Sequence, residues 1–195
     1  MNVQPFDGLL TNPSARMPVA LALDVSGSMA DYIDGERRID RLNQGLSAFI
    51  GELKRDMSAR FAAELSIFTF DGQCRCVAPF APVNEFNEHA CAVSIGRISG
   101  TNLGSAVDTA INAIDSRLNV YRQHGISWHK PWLVVISDGL SNRGDLNPPA
   151  MRAREREARG DLLVFPVTVC EEEAASQLAT LSDIRRPLFS KQANF

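Results

Sequence analysis

Apolar positions along this chain alternate between two rhythms. Residues 18–24 form a continuous apolar run that closes on an acid, the pattern of a parallel strand covered on both faces. Residues 38–55 then place Ile39, Leu42, Leu46, Phe49, Ile50 and Leu53 at helical spacing, one apolar stripe on an otherwise solvated helix. A second strand spans 64–70, Asp71-Gly72 signals a turn, and 75–80 returns antiparallel as a hairpin edge. After a polar stretch over 81–100, Leu103, Val107, Ala110, Ile111, Ile114, Leu118 and Tyr121 mark a helix over 102–123, with Gly125 as its stop signal. Residues 131–137 are another apolar strand, running into Asp138-Gly139. A short charged helix over 151–159, a strand over 162–169 and a short last helix over 174–181 complete the pattern. Pro166 lies inside the last of these strands and removes a ladder donor, so a bulge or a locally unpaired edge is expected there.

Strands separated by helices, with apolar centres, imply right-handed crossovers and a doubly wound α/β sheet. The sheet is expected to be mostly parallel, with one antiparallel edge strand and helices on both faces. The 195 residues, 45% of them apolar, suit one domain with a core over about residues 16–190. A net charge of −3 with acids and bases intermixed leaves no basic stripe, so a nucleic-acid surface is not expected. No apolar run approaches the roughly 18 residues that span a bilayer, and the first residues lack a basic segment followed by an apolar one. Four unevenly spread cysteines do not resemble a disulfide framework, so a reducing cytoplasm is the expected location.

Ligands in doubly wound sheets bind at the carboxyl ends of strands, where the winding reverses. Two strands here end in acids, Asp24 and Asp138. If they are neighbours at that point, both carboxylates face one crevice, with Ser26 and Ser28 in the loop above and Thr101, just before a helix, as a third hydroxyl. Carboxylate and hydroxyl oxygens without nearby His or Cys suit a hard ion such as Mg²⁺ or Mn²⁺. Taken alone, Asp24-x-Ser26-x-Ser28 is more often a turn closed by side-chain bonds to the backbone than a metal site.

Asp24-Val-Ser26-Gly-Ser28, Gly100-Thr101-Asn-Leu-Gly-Ser-Ala and Ile136-Ser-Asp138-Gly139 together resemble the metal-ion-dependent adhesion site of von Willebrand factor A domains, a Rossmann-like family. Asn43-Gln-Gly-Leu46, Phe68-Thr-Phe70 and Trp128-His-Lys-Pro-Trp132 resemble the bacterial TerY group, which is associated with tellurium resistance. The resemblance implies that Ser26 and Ser28 bind the ion directly, Thr101 directly when a ligand is engaged, and Asp24 and Asp138 often through water. Ca²⁺ is a further alternative. Neutral first ligands leave the ion electrophilic, so a Glu or Asp of a partner protein is expected to complete its coordination. The implied function is a metal-dependent protein-binding module in a bacterial stress-response or defence system with protein kinase or phosphatase partners. The alternative is a substrate-recognition subunit of a chelatase- or MoxR-type ATPase. No enzymatic role is expected. A haloacid-dehalogenase-type phosphatase would need a second Asp where Ser26 stands, and neither a nucleophile elbow nor a phosphate-cradling loop is present.

The remaining chemistry-bearing residues have plainer readings. Cys74-x-Cys76 with His89-x-Cys91 raises a zinc site, but zinc spacings usually leave two or more residues between ligands. Cys74 and Cys76 are expected on one face of a hairpin strand, packing as small apolar groups rather than as zinc ligands. Cys170 reads as core, and His124 and His129 as surface residues of a loop. Trp128 and Trp132 are expected to cover a sheet edge, with an exposed Trp128 as a partner anchor. Arg143-Gly144-Asp145 reads as a turn, followed by a helix cap near Asn147. Arg152, Arg154, Arg156 and Arg159 interleave with Glu155 and Glu157 as a solvated, ion-paired face. Asp24 and Ser26 are expected on a rim above the sheet.

Overall fold

The computed structural model describes residues 14–138, 141–169 and 175–189. Strand β1 (Met17–Asp24) lies at the centre of the sheet. It pairs parallel with β4 (Ala63–Phe70) on one side and with β6 (Trp132–Ser137) on the other. Beyond β4 lies the antiparallel edge strand β5 (Cys74–Pro82). Beyond β6 come β7 (Leu163–Thr168) and the two-residue β8 (Leu188–Phe189), both parallel. Among the described residues this gives the order β5-β4-β1-β6-β7-β8, the mostly parallel sheet expected from the pattern. A separate hairpin joins β2 (Tyr32–Ile33) to β3 (Glu36–Arg37). Its turn is Asp34-Gly35, with φ of +53° and +83°. Asp and Gly tolerate such angles better than other residues.

The faces of β1 divide the helices. Val19, Leu21 and Leu23 point toward α1 (Arg38–Arg55), whose stripe of Ile39, Leu42, Leu46, Ile50 and Leu53 is buried against them. Ala20 and Ala22 point the other way, under Ala106, Val107 and Ala110 of α3 (Leu103–His124). Small residues on both surfaces let α3 pack close to the strand. Helix α3 ends in a left-handed Gly125 at φ +66°, as a helix stop requires. The same face carries α4 (Asn147–Ala158) and Leu178 of α5 (Ala175–Ala179). The four-residue helix α2 (Ala59–Ala62) leads into β4.

Several expectations change. The 81–100 stretch is not wholly polar, since Val83 and Phe86 are buried in the α1-side core. Helix α4 begins at Asn147 rather than 151, with prolines in its first turn where a missing N–H costs nothing. Its charged face is not simply solvated: Arg152 and Arg156 pair with Asp115 of α3, and Glu157 is buried. Glu157 Oε1 accepts from Val164 N–H at 3.0 Å, and the same carboxylate binds Ser182 and Arg185.

That contact also explains Pro166. Leu163 N–H donates to Pro131 O and Val169 N–H to Ser137 O, so alternate N–H groups of β7 face β6. Val164 and Pro166 face the other way, and β8 pairs only from Val167 onward. Pro166 therefore occupies a locally unpaired edge position, and no bulge interrupts its register with β6.

His124 closes α3 rather than lying in a loop. Trp128 is 37% exposed, but it stacks near Tyr121 and bridges to Arg16, at the end of the sheet opposite Asp24. Cys74 packs on the α3 side and Cys91 on the α1 side, so the four zinc candidates cannot meet. Cys170 lies outside the described residues.

At that opposite end, Glu64 is fully buried between Arg117 (2.6 Å), the Tyr121 hydroxyl (2.5 Å) and Arg16 (3.7 Å). Burial and the adjacent Glu64 carboxylate hold the Tyr121 phenol well above its usual range. Removing one charge from a buried network strands the others. Glu64→Gln is expected to lower unfolding stability by about 3 kcal/mol in urea titrations; an unchanged midpoint would show that the network is energetically neutral.

Candidate metal centre

Register brings the two acid-ending strands together. Leu23 sits opposite Ile136, so Asp24, Ser137 and Asp138 emerge side by side where the winding reverses. Asp24 is not on a rim, as the sequence suggested: it is 0% exposed, within the last turn of the strand pairing. Its Oδ1 accepts from Ser26 N–H at 2.8 Å and its Oδ2 from Ser137 Oγ at 2.5 Å. These bonds fix both carboxylate oxygens and turn the chain into the serine loop.

The loop is held from both sides. Val25 N–H donates to Phe70 O of β4 and Val25 O accepts from Gly96 N–H. A single 3₁₀ turn, Gly27–Ala30, follows, anchored by the fully buried Met29. This sets the Ser26 and Ser28 hydroxyls 3.1 Å apart, with Ser26 buried and Ser28 open to solvent.

Thr101 reaches the same end through Asp71, a residue that the sequence pattern marks only as a turn. The Asp71 side chain accepts from Gln73 and Ile98 N–H groups and lies beside Arg75, while its carbonyl accepts from Asn102 N–H. Burial alone would raise this carboxyl, but those hydrogen bonds and Arg75 hold it below the usual carboxylate range. Gly96 is required beside it, because a Cβ there would come 2.3 Å from Asp71 Oδ2. Thr101 itself is tied to the segment just past Asp138: its N–H donates to Asn142 Oδ1, and its carbonyl accepts from Asn142 and Arg143 N–H and from Ser141 Oγ. Asn102 then caps α3 by accepting from Ser105 N–H.

Arg143-Gly144-Asp145 thus has a structural duty. Arg143 braces Thr101, Gly144 takes φ +70°, and Asp145 accepts from Asn147 N–H to start α4. Ser137, Asp71, Asn142 and Arg38 are the contributors that sequence reading missed. Asn142 and Arg38 carried no local signal at all.

Asp138 is 7% exposed, and its Oδ2 accepts from Arg38 Nη1 at 3.1 Å. Burial pushes the Asp24 carboxyl up to about 6, against the opposing pull of its Ser137 and Ser26 hydrogen bonds, and the Asp138 charge adds to the rise. The site therefore concentrates negative charge with one guanidinium to answer it. The candidate oxygens are two carboxylates and three hydroxyls, with no histidine or cysteine among them, a set that fits a small hard cation. Among the described residues no cluster of three or more His, Cys, Asp or Glu side chains forms, so hydroxyls are indispensable to such a set.

The central sheet, mostly parallel with one antiparallel edge strand, flanked by helices and reversing its winding beside Asp24 and Asp138, defines a Rossmann-like α/β domain. Residues 19–141, more than half of the sequence, match the von Willebrand factor type A domain family, and the chain belongs to it. Domains of this family are generally interaction modules rather than enzymes. No curated protein matches the sequence. Among solved structures, the chain is similar to the SpRpn10 VWA domain at 11% identity, covering 90% of this chain and 87% of that one with a TM-score of 0.60. An aerotolerance-related membrane protein from Bacteroides fragilis is 17% identical over 78% and 67% of the two chains, with a TM-score of 0.54. Proximal thread matrix protein 1 from the mussel byssus, solved with a zinc-occupied MIDAS motif, is 10% identical over 93% of this chain and 44% of that one, with a TM-score of 0.63. At these identities the likeness is one of fold. Among the described residues, no helix is long and apolar enough to cross a membrane.

The raised Asp24 carboxyl has a consequence for stability. Asp24 holds its proton more tightly folded than unfolded, so stability falls as pH rises from about 4 through about 6. Asp24→Asn removes the charge and keeps one acceptor oxygen for the Ser26 N–H, while its amide N–H would donate to a reoriented Ser137 hydroxyl. In EDTA at pH 7.5 the variant is expected to be more stable by up to about 3 kcal/mol, with a flatter pH profile between 4 and 6. A variant less stable than the wild type at pH 7.5 would contradict this assignment.

Proposed function

We propose that this domain is a metal-dependent protein-binding module in which Asp24, Ser26, Ser28, Thr101 and Asp138 hold a divalent cation, and an acidic residue of a partner protein completes the site. Mg²⁺ is the proposed ion, with Mn²⁺ or Ca²⁺ as substitutes. The observation that carries this reading is the hydrogen-bonded chain Ser137–Asp24–Ser26–Ser28 beside the buried Asp138. Two acids and two hydroxyls are held together there with a single guanidinium, Arg38 on Asp138, as counter-charge, fewer than two buried carboxylates would need. Once bound, the ion would supply an electrophilic centre for a carboxylate oxygen. The serine and threonine hydroxyls contribute ligands without neutralising it, and Ser28 leaves that centre reachable from solvent. The zinc-occupied site of the mussel protein supports this type of chemistry on the fold.

We further propose that the domain works inside a bacterial cell, in a stress-response system of the tellurium-resistance type with kinase or phosphatase partners. The sequence motifs that resemble that group have packing duties here. The Asn43 side chain clamps the backbone of Val93 through two hydrogen bonds, and Phe68 and Phe70 are core. Cys74, Cys76 and Cys91 are free thiols, which suits a reducing compartment.

Immobilised protein is expected to retain its native partner in Mg²⁺ and to release it in EDTA. Ser26→Ala is expected to keep its circular dichroism spectrum while losing at least about tenfold in partner affinity, in line with loss of a metal ligand or its support. Retention that survives EDTA would sink the metal bridge. Phosphate-ester turnover in Mg²⁺, lost in Asp24→Asn, would instead make the domain an enzyme.

A further inference from the structure

The site contains one feature that ion binding by oxygens does not require. Arg38 is the first residue of α1, and its approach is set by the hairpin before it: Arg38 N–H donates to Asp31 O across β2–β3. From there the guanidinium turns inward. Its Nη1 lies 3.1 Å from Asp138 Oδ2, 3.2 Å from Ser28 O and 3.7 Å from Asp31 Oδ2. Three oxygens from two loops thus converge on a single cationic nitrogen.

We infer that Arg38 is the resident counter-ion of this site, that its guanidinium and a divalent cation are mutually exclusive partners of Asp138, and that Arg38 thereby sets how tightly the site takes its ion. The inference rests on the metal-site reading given above.

The Arg38 contact is built to be released. Guanidinium–carboxylate pairs are strongest when two parallel N–H groups meet two oxygens. Here a single nitrogen, Nη1, makes these three contacts, and among the described residues the buried Nε has no hydrogen-bond partner. Arg117, by contrast, holds Glu64 with two nitrogens, Nε and Nη2, each 2.6 Å from Oε2. Arg38 also has somewhere to go. Asp31, 67% exposed, is already within ion-pair distance and would keep the guanidinium at the rim. Like charges at contact distance repel strongly in a partly buried site, so Arg38 must leave Asp138 when a cation of higher charge arrives. Without an ion, Arg38 keeps the buried Asp138 from standing uncompensated beside Asp24.

The test compares the wild-type chain, Arg38→Gln and Arg37→Gln. Arg37 is the adjacent arginine, paired with Asp40 on the surface, and it controls for a simple change in net charge. Each metal-free protein is titrated with Mn²⁺ by calorimetry and melted in EDTA and in Mn²⁺. Arg38→Gln is expected to bind Mn²⁺ at least about tenfold more tightly, to melt lower than the wild type in EDTA, and to gain more on adding Mn²⁺; Arg37→Gln is expected to behave as the wild type. Equal or weaker binding by Arg38→Gln, with the wild type still binding, overturns the counter-ion role and leaves the metal site standing. An equal gain in Arg37→Gln also overturns it, assigning the effect to net charge. Absence of binding in all three proteins, Arg38→Gln included, overturns both the role and the site.

Discussion

The parallel pairing of β1 with β6 is the constraint on which the remainder depends. Once Leu23 is in register with Ile136, the next residues of both strands are forced to emerge together, and these are Asp24, Ser137 and Asp138. Burying two carboxylates at one sheet end is costly unless each is hydrogen-bonded and countered. The surrounding architecture answers that cost piece by piece. Ser137 and the Ser26 N–H fix Asp24, Arg38 meets Asp138, and the Asp71 bonds shape the strap that brings Thr101 in from the other strand crossover. The small face of β1, Ala20 and Ala22, lets α3 sit close enough for its capped start to follow directly from Thr101.

The two ends of the same sheet make an instructive contrast. At the far end one buried carboxylate, Glu64, is met by Arg117, Arg16 and Tyr121, so positive charge exceeds negative. At the site end two buried carboxylates stand side by side and one guanidinium reaches only Asp138, while Asp24 is held by the Ser26 N–H and the Ser137 hydroxyl. Both clusters are buried and polar, yet only one is left with negative charge in excess. The contrast is one of charge balance rather than of hydrogen bonding, since Glu64 Oε1 also lacks a hydrogen-bond partner among the described residues. Burial raises the Asp24 carboxyl to about 6, and the neighbouring Asp138 charge adds to the rise.

Much of this was legible in the sequence, and the reasons are physical. The strands around Asp24 and Asp138 are continuous apolar runs, since both of their faces are covered, and α1 and α3 carry unambiguous stripes ended by recognisable caps. Asp24, Ser26 and Ser28 announce themselves because they are contiguous, and Thr101 and Asp138 because they stand at element boundaries. What escaped depends on contacts distant in sequence. Arg38 meets Asp138 across 100 positions, and Asn142 supports Thr101 across 41. Neither partner has any local pattern to betray it. Glu157 reads as a solvent-facing charge in the sequence because helical charge spacing says nothing about the strand and later segment that cover it. The Asp34-Gly35 hairpin was a readable turn signal whose importance lay in where it aims Arg38.

The central claim is that the oxygens of Asp24, Ser26, Ser28, Thr101 and Asp138 form one cation site. The most direct measurement is a crystal structure of the protein grown with Mn²⁺, using anomalous scattering to locate the ion. The account predicts a single strong peak within about 2.5 Å of the Ser26 and Ser28 hydroxyls and facing Asp138, with Asp24 and Thr101 direct or one water away. An ion found elsewhere on the chain, or a fully soaked crystal whose five residues bind none, would contradict it.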